Sequence, residues 1–104
     1  TVLGDKIELN AIVRLFNKSN NLYVSSTKSS IGHLLGAAGS VEAIFSILSI
    51  KDNIMPATLN LENPIDSGNI NLIAKEPLKK NVEVAMSNSF GFGGTNTALL
   101  FKSI

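Results

Sequence analysis

The sequence predicts an α/β domain, and three observations carry that prediction. Apolar residues recur at helical spacing between Leu3 and Phe16, and a β-rich segment at Leu22–Thr27 runs through a polar turn into a long apolar helix. Near the end, two β-forming stretches flank the glycine-rich run Phe90-Gly91-Phe92-Gly93-Gly94-Thr95-Asn96. At 104 residues the chain is one domain at most, and size scaling has such a domain bury roughly 65% of its unfolded surface. Apolar residues make up 44% and aromatics 6%, with no tryptophan, so the core is built mainly from Leu, Ile, Val and Ala. This is the composition of an ordinary soluble α/β protein.

Charge and cysteine usage exclude several functions. Nine Lys and Arg against eight Asp and Glu give a net charge of +1, and the basic residues are scattered, which gives no support to nucleic-acid or anionic-membrane binding. Without cysteine there is no disulfide, no thiolate metal site and no thiol nucleophile within these residues. The apolar run from Leu34 to Ile50 is broken by Gly36, Gly39, Ser40, Glu42, Ser46 and Ser49, which argues against a membrane span. No signal-peptide pattern opens the chain.

The first element is an amphipathic helix from about Asp5. Ile7, Ala11 and Leu15 form its apolar face with Ile12 and Phe16 beside them, and Asp5, Lys6, Glu8 and Asn10 lie on other faces. The polar cluster Asn17–Asn21 reads as a loop, and Leu22–Thr27 as a strand. Strand, polar turn and helix is the arrangement in which open α/β folds place ligands at the strand's carboxyl end. The only histidine, His33, lies there, five positions after Lys28.

A helix is expected from about His33 to Ile50. Leu34, Ala38, Val41, Phe45 and Leu48 form one stripe and Ala37, Ile44 and Ile47 a second, which implies burial on nearly all sides. Glu42 is the one charge between His33 and Lys51, placed at a gap in the packing or paired. Gly36 and Gly39 in the first turns cost about 2 kcal/mol of helix propensity together, a cost that suggests close contact with another segment or a ligand. Pro56 and Pro64 then bracket an extended Ala57–Leu61, a loop or edge strand. Ile70–Ile73 reads as a short strand, Lys75–Asn81 as an exposed polar stretch, and Val82–Asn88 and Thr97–Lys102 as a hairpin.

The chemistry centres on His33 and Lys28. At a helix N-terminus the dipole disfavours the imidazolium, so His33 is expected to be neutral and able to donate one ring N–H. Lys28, between strand and helix, adds a positive field that holds an anion. The bland alternatives are a hydrogen-bonded structural histidine and a solvated lysine. The glycine loop lies between strands rather than opening a helix, which disfavours phosphate binding. Its glycines permit movement and leave backbone N–H groups free to face an oxyanion. Phe90 and Phe92 suit the wall or lid of an apolar pocket better than an exposed turn.

Several motifs, separated and in order, resemble the C-terminal part of the β-ketoacyl-acyl-carrier-protein synthases, the condensing enzymes of fatty acid synthesis. They are Ser26-Thr27-Lys28, Gly32-His33-Leu34-Leu35-Gly36-Ala37-Ala38-Gly39, Glu42, Pro56-Ala57-Thr58-Leu59-Asn60 and Ser87 to Asn96. Leu3-Gly4-Asp5-Lys6 also resembles the segment just after that family's first catalytic histidine motif. The resemblance covers essentially the whole chain. It implies a thiolase-like fold, of which residues 1–104 would be a single partial domain in the C-terminal half, with a mixed sheet and a buried helix. A fragment of that kind would expose part of the helix surface.

The family performs a decarboxylative Claisen condensation: an acyl group is loaded onto a cysteine, and malonyl-carrier protein loses carbon dioxide and attacks the thioester. By resemblance, His33 polarises the malonyl thioester carbonyl and Lys28 supports it. Phe92 gates the acyl pocket and its N–H helps form an oxyanion hole, Gly91, Gly93 and Gly94 let it swing, and Phe90 lines the pocket. Glu42, Ser87 and Asn88 match positions that surround a structural monovalent cation in some members; no other cofactor or metal is expected. Acyl carrier protein and acyl and malonyl thioesters are the implied partners, with a homodimeric parent enzyme that is cytoplasmic in bacteria or resides in mitochondria or plastids. The cysteine and the other histidine are missing, so the chain reads as an inactive fragment. Two alternatives are a non-catalytic subunit of the chain-length-factor type, against which the retention of Lys28 and His33 argues, and a phosphate-binding module.

Overall fold

The computed structural model describes all residues, Thr1–Ile104. Its first element, α1 (Val2–Phe16), begins three residues ahead of the sequence estimate because Thr1 caps it: the Thr1 Oγ1 accepts the Gly4 N–H at 3.0 Å. The helix is rotated relative to the expected face. Leu9 is its one buried residue, and Asp5, Glu8, Leu9, Ile12 and Phe16 line a broad open concavity of about 490 Å³ together with Tyr23, Val24, Glu42 and Phe45. Ile7 and Leu15 point away and are exposed. Glu8, assigned by pattern to an outer face, therefore looks inward.

After the loop, β1 (Tyr23–Val24) pairs in parallel with a strand much later in the chain, Asn71–Leu72. A single helical turn, α2 (Lys28–Ile31), follows directly. The chain then leaves through Gly32, a 3-10 turn at Leu35–Ala37 and the fifteen-residue α3 (Ala38–Asp52). The long helix thus starts five residues after the predicted His33, and the histidine sits in the connection between two helices rather than at a helix end. Gly32, with φ of 78° and ψ of 179°, breaks the helix in a conformation suited to glycine.

At its far end α3 stops at Asn53 in the left-handed conformation, φ 54°. The Asn53 side-chain oxygen accepts the Val82 N–H at 2.9 Å and its carbonyl accepts the Lys80 N–H at 3.1 Å. The stretch read as merely polar and exposed, Lys75–Asn81, thereby gains a short strand. β2 (Ile54–Met55) and β4 (Leu78–Lys79) pair antiparallel, while β3 (Asn71–Leu72) is the partner of β1. The hairpin forms as expected from β5 (Val84–Phe90) and β6 (Asn96–Lys102), in register from Val84 opposite Lys102 to Phe90 opposite Asn96.

The helix α3 packs along β5. Of its two stripes, Ala38 is buried and Val41 and Phe45 are half-buried, while Ile44 and Ile47 face solvent at 55% and 48% exposure. Only seven residues are buried: Leu9, Ala38, Ala57, Ile70, Ile73, Val82 and Ser87. The accessible surface is 7656 Å², against about 5,600 Å² for a typical folded monomer of this mass. A radius of gyration of 13.2 Å is close to the ~13 Å expected for the length, so the surplus comes from uncovered apolar faces rather than from an extended shape. Large apolar side chains are exposed on α1, on α3 and on both faces of the hairpin.

Candidate active site

Lys28 opens α2, and its ammonium is paired with the Glu42 carboxylate on the first turns of α3. The sequence left Glu42 either at a packing gap or paired; the structure pairs it. The Glu42 side chain is 14% exposed and that of Lys28 37%, so the pair is partly desolvated and its loss from one side costs more than at an open surface bridge. Ser46 and Ser49 return their hydroxyls to the Glu42 and Phe45 carbonyls one turn back, which keeps this face of α3 free of unpaired donors.

Glu8 reaches the same cluster from α1. Burial raises its carboxyl above the ordinary 4.5, opposed by a hydrogen bond from the Asn88 side chain and by the charge of Lys28; Asp5 and Glu42 push it further up. Sequence reading missed Glu8 because the Ile7–Ala11–Leu15 face looked like the inner one. The Leu9–Ile12–Phe16 stripe, with Glu8 beside its first member, was the signal available. A carboxyl whose folded-state value is raised binds a proton that the unfolded chain releases, so its contribution is most favourable below 4.5 and is lost as pH rises through the folded value. Thermal unfolding across a pH series should therefore show the wild type losing stability above 4.5 relative to Glu8→Gln; parallel curves would mean Glu8 is not desolvated as described.

His33 lies on the exposed segment between α2 and the 3-10 turn. The Leu35 N–H donates to its Nδ1 at 3.0 Å, so the neutral ring carries its hydrogen on Nε2. Leu35 makes this bond from the left-handed region, φ 51°, although it is not glycine. Such backbone costs about 1–2 kcal/mol and is stored where geometry matters. The helix-dipole argument for a neutral histidine does not apply, since α3 begins only at Ala38. What orients the ring is a single backbone amide, which leaves the Nε2–H without a hydrogen-bond partner in the chain.

The second candidate segment leaves from the same end of α3. A Cβ built on Gly39 would stand 3.3 Å from the Ser89 hydroxyl of β5, so glycine permits this close approach. A Cβ built on Gly36, in the 3-10 turn, would meet nothing within 4 Å, so the contact argued for both glycines holds for Gly39 alone. Beyond Phe90 the hairpin loop is closed by the Gly91 N–H to the Thr95 carbonyl at 2.7 Å. Gly93 and Gly94 adopt φ of 83° and 82°, which side-chain-bearing residues rarely do, whereas Gly91 needs no such freedom. Phe92 is fully exposed at the tip and Phe90 is 58% exposed, so neither closes a pocket within these residues. The structure brings Lys28, Glu42, Glu8 and Asn88 together, with buried Ser87 beside them. It leaves His33 and Phe92 on the two open segments at one end of the molecule.

Comparison with known proteins gives a consistent picture. The family description "Beta-ketoacyl synthase, C-terminal domain" matches residues 1–62. The chain is 54% identical, over 98% of its length, to 3-oxoacyl-[acyl-carrier-protein] synthase 2 of Rhizobium meliloti, of which it covers 24%. It is 49% identical over its full length to the Vibrio harveyi protein of the same name, covering 26% of it. It is 52% identical over its full length to the mitochondrial 3-oxoacyl-[acyl-carrier-protein] synthase of Arabidopsis thaliana, covering 23%. The chain thus spans about a quarter of the length of the curated relatives it matches.

Proposed function

The chain belongs to the β-ketoacyl synthase family, whose C-terminal domain has the thiolase-like fold, and on that premise we propose that it supplies the malonyl-activating part of a condensing enzyme. The parent enzyme elongates acyl chains by decarboxylative Claisen condensation of malonyl-carrier protein with a cysteine-bound acyl group. The observation that carries this reading is the His33 ring, whose Nδ1 is held by the Leu35 N–H so that Nε2–H remains outward on an exposed segment. A donor so placed gives its N–H to the malonyl carbonyl oxygen and stabilises the charge that gathers there as it becomes an enolate, and a pre-oriented donor of that kind is worth about 10²–10³ in rate. Lys28, fixed by Glu42, supplies the supporting positive charge.

Phe92 gates the acyl pocket, with Gly93 and Gly94 supplying the left-handed backbone that lets the tip move and leaves the Phe92 N–H free for the oxyanion. Phe90 becomes the pocket wall when further polypeptide covers the hairpin. The uncovered faces of α1, α3 and the hairpin are where that polypeptide packs, and the nucleophilic cysteine comes from it. A monovalent cation suits the cluster beside Lys28: Glu8 and Glu42 against one lysine leave net negative charge, and Ser87 and Asn88 add neutral oxygens. Acyl carrier protein delivers both thioesters, and the parent is a homodimer in the bacterial cytoplasm. No helix of the chain is long and apolar enough to cross a membrane.

The test is complementation of activity. The 104 residues alone, given acyl- and malonyl-carrier protein, should form no condensation product, because they hold no cysteine. Joined to the upstream three quarters of a family member they should restore it. Product from the 104 residues alone, or none from the joined protein when it is folded, would overturn the reading.

A further inference from the structure

The turn that carries Lys28 does not hold itself in place. Four residues of helix are far below the length at which a helix is stable in water, α2 buries no residue, and its Thr27 N-cap makes no side-chain hydrogen bond. Its anchors come from the segment Pro56–Asn60. The Thr58 Oγ1 accepts the Ser26 N–H at 2.8 Å, and the Ser29 Oγ accepts the Leu59 N–H at 2.8 Å while its own hydrogen goes to the Ser26 carbonyl at 2.9 Å. Each segment lends a side chain to the other's backbone, and the bonded residues bracket Lys28.

The support behind these anchors is firm. The Thr58 N–H donates to the Ile73 carbonyl at 2.8 Å, and Thr58 bridges Ala74 in parallel. Ala57 and Ile73, the neighbours on either side of that bond, are both buried. The Ile73 N–H in turn donates to the Val24 carbonyl at 3.0 Å, which ties the assembly to β1. From β1 the chain returns within four residues to Lys28, so the segment closes a rigid loop around the lysine turn.

We propose that Thr58 and Ser29 are positioning residues for the condensation, holding the Lys28 ammonium on Glu42 through their paired side-chain-to-backbone bonds. This rests on the role given to Lys28 above. Thr58→Val keeps the shape and β-branching of the side chain and replaces the hydroxyl with a methyl group, leaving the Ser26 N–H without its partner. The lysine turn then samples other orientations, and misplacement on that scale costs between tenfold and a hundredfold in rate.

The experiment uses a complete condensing enzyme carrying this chain. Malonyl decarboxylation, acylation of the cysteine and thermal stability are measured for Thr58→Val, Thr58→Ser, Ser29→Ala, Lys28→Ala and the Thr58→Val/Lys28→Ala double variant. Thr58→Val and Ser29→Ala should each lower the kcat of decarboxylation about tenfold with KM and cysteine acylation nearly unchanged, and Thr58→Ser should restore it. Because the effect runs through Lys28, the double variant should be no slower than Lys28→Ala alone. Independent, multiplying losses in the double variant, or equal losses of decarboxylation and acylation in both single variants, would overturn the proposal. If Thr58→Val does not fold, Ser29→Ala carries the same prediction. If Lys28→Ala itself decarboxylates normally, it is the assigned role of Lys28 that fails, and the inference falls with it.

Discussion

Replacing His33 with alanine in a complete enzyme that carries this chain should abolish carbon dioxide release from the malonyl thioester while the cysteine still takes up its acyl group. Decarboxylation builds negative charge on the thioester oxygen, and the proposed donor to it is the Nε2–H that the Leu35-to-Nδ1 bond leaves free. Losing one donor of an oxyanion site costs about 10²–10³, and losing a side chain that also orders its own segment costs more. Acyl transfer to the cysteine builds its charge against other donors, so it should fall far less. His33→Gln, which keeps an N–H donor, should retain more activity than His33→Ala. Loss of acylation with decarboxylation intact would contradict the assignment.

Lys28→Ala should have the second largest effect, on stability and activity together. The substitution leaves Glu42, 14% exposed, without its counter-charge and close enough to Glu8 for the two carboxylates to repel. Breaking a partly buried pair from one side costs about 2–4 kcal/mol, less than a fully buried pair because water reaches the lysine end. Combining Lys28→Ala with Glu42→Gln removes the orphaned charge and should recover most of that stability. It should not recover decarboxylation, because the ammonium proposed to support malonyl activation is still missing. Unfolding curves and carbon dioxide release from the single and double variants separate the two consequences; recovery of both would make the lysine a structural residue only.

Much of the fold was legible because its signals are local. Two helices, the β1 segment and the hairpin follow from helical spacing, β-branched runs and glycine-rich turns, and Glu42 was legible as a charge needing an explanation. The errors arose where tertiary contacts override pattern. The periodicity of α1 offers two adjacent apolar faces, and packing selected Leu9–Ile12–Phe16, which carries Glu8 inward. An apolar run from His33 onward reads as continuous helix, yet the left-handed Leu35 and the 3-10 turn delay the helix to Ala38, and the histidine gains a backbone hydrogen bond in place of a helix dipole. The strand Leu78–Lys79 is too short and polar to stand out. It exists because Asn53, at the end of α3, gathers Lys80 and Val82. The resemblance of the motifs identified the family, but the hydroxyl bonds from Thr58 and Ser29 that fix the lysine turn emerge only when the distant Pro56–Asn60 segment is seen against it.

The central claim is that these residues activate the malonyl group and that the nucleophile lies elsewhere. It is tested most directly by measuring carbon dioxide release from malonyl-carrier protein by the complete enzyme with its cysteine replaced by alanine, with and without His33→Ala. The account predicts that decarboxylation persists without the cysteine and disappears when His33 is also replaced. Decarboxylation that vanishes with the cysteine alone, or that survives the loss of His33, would contradict it.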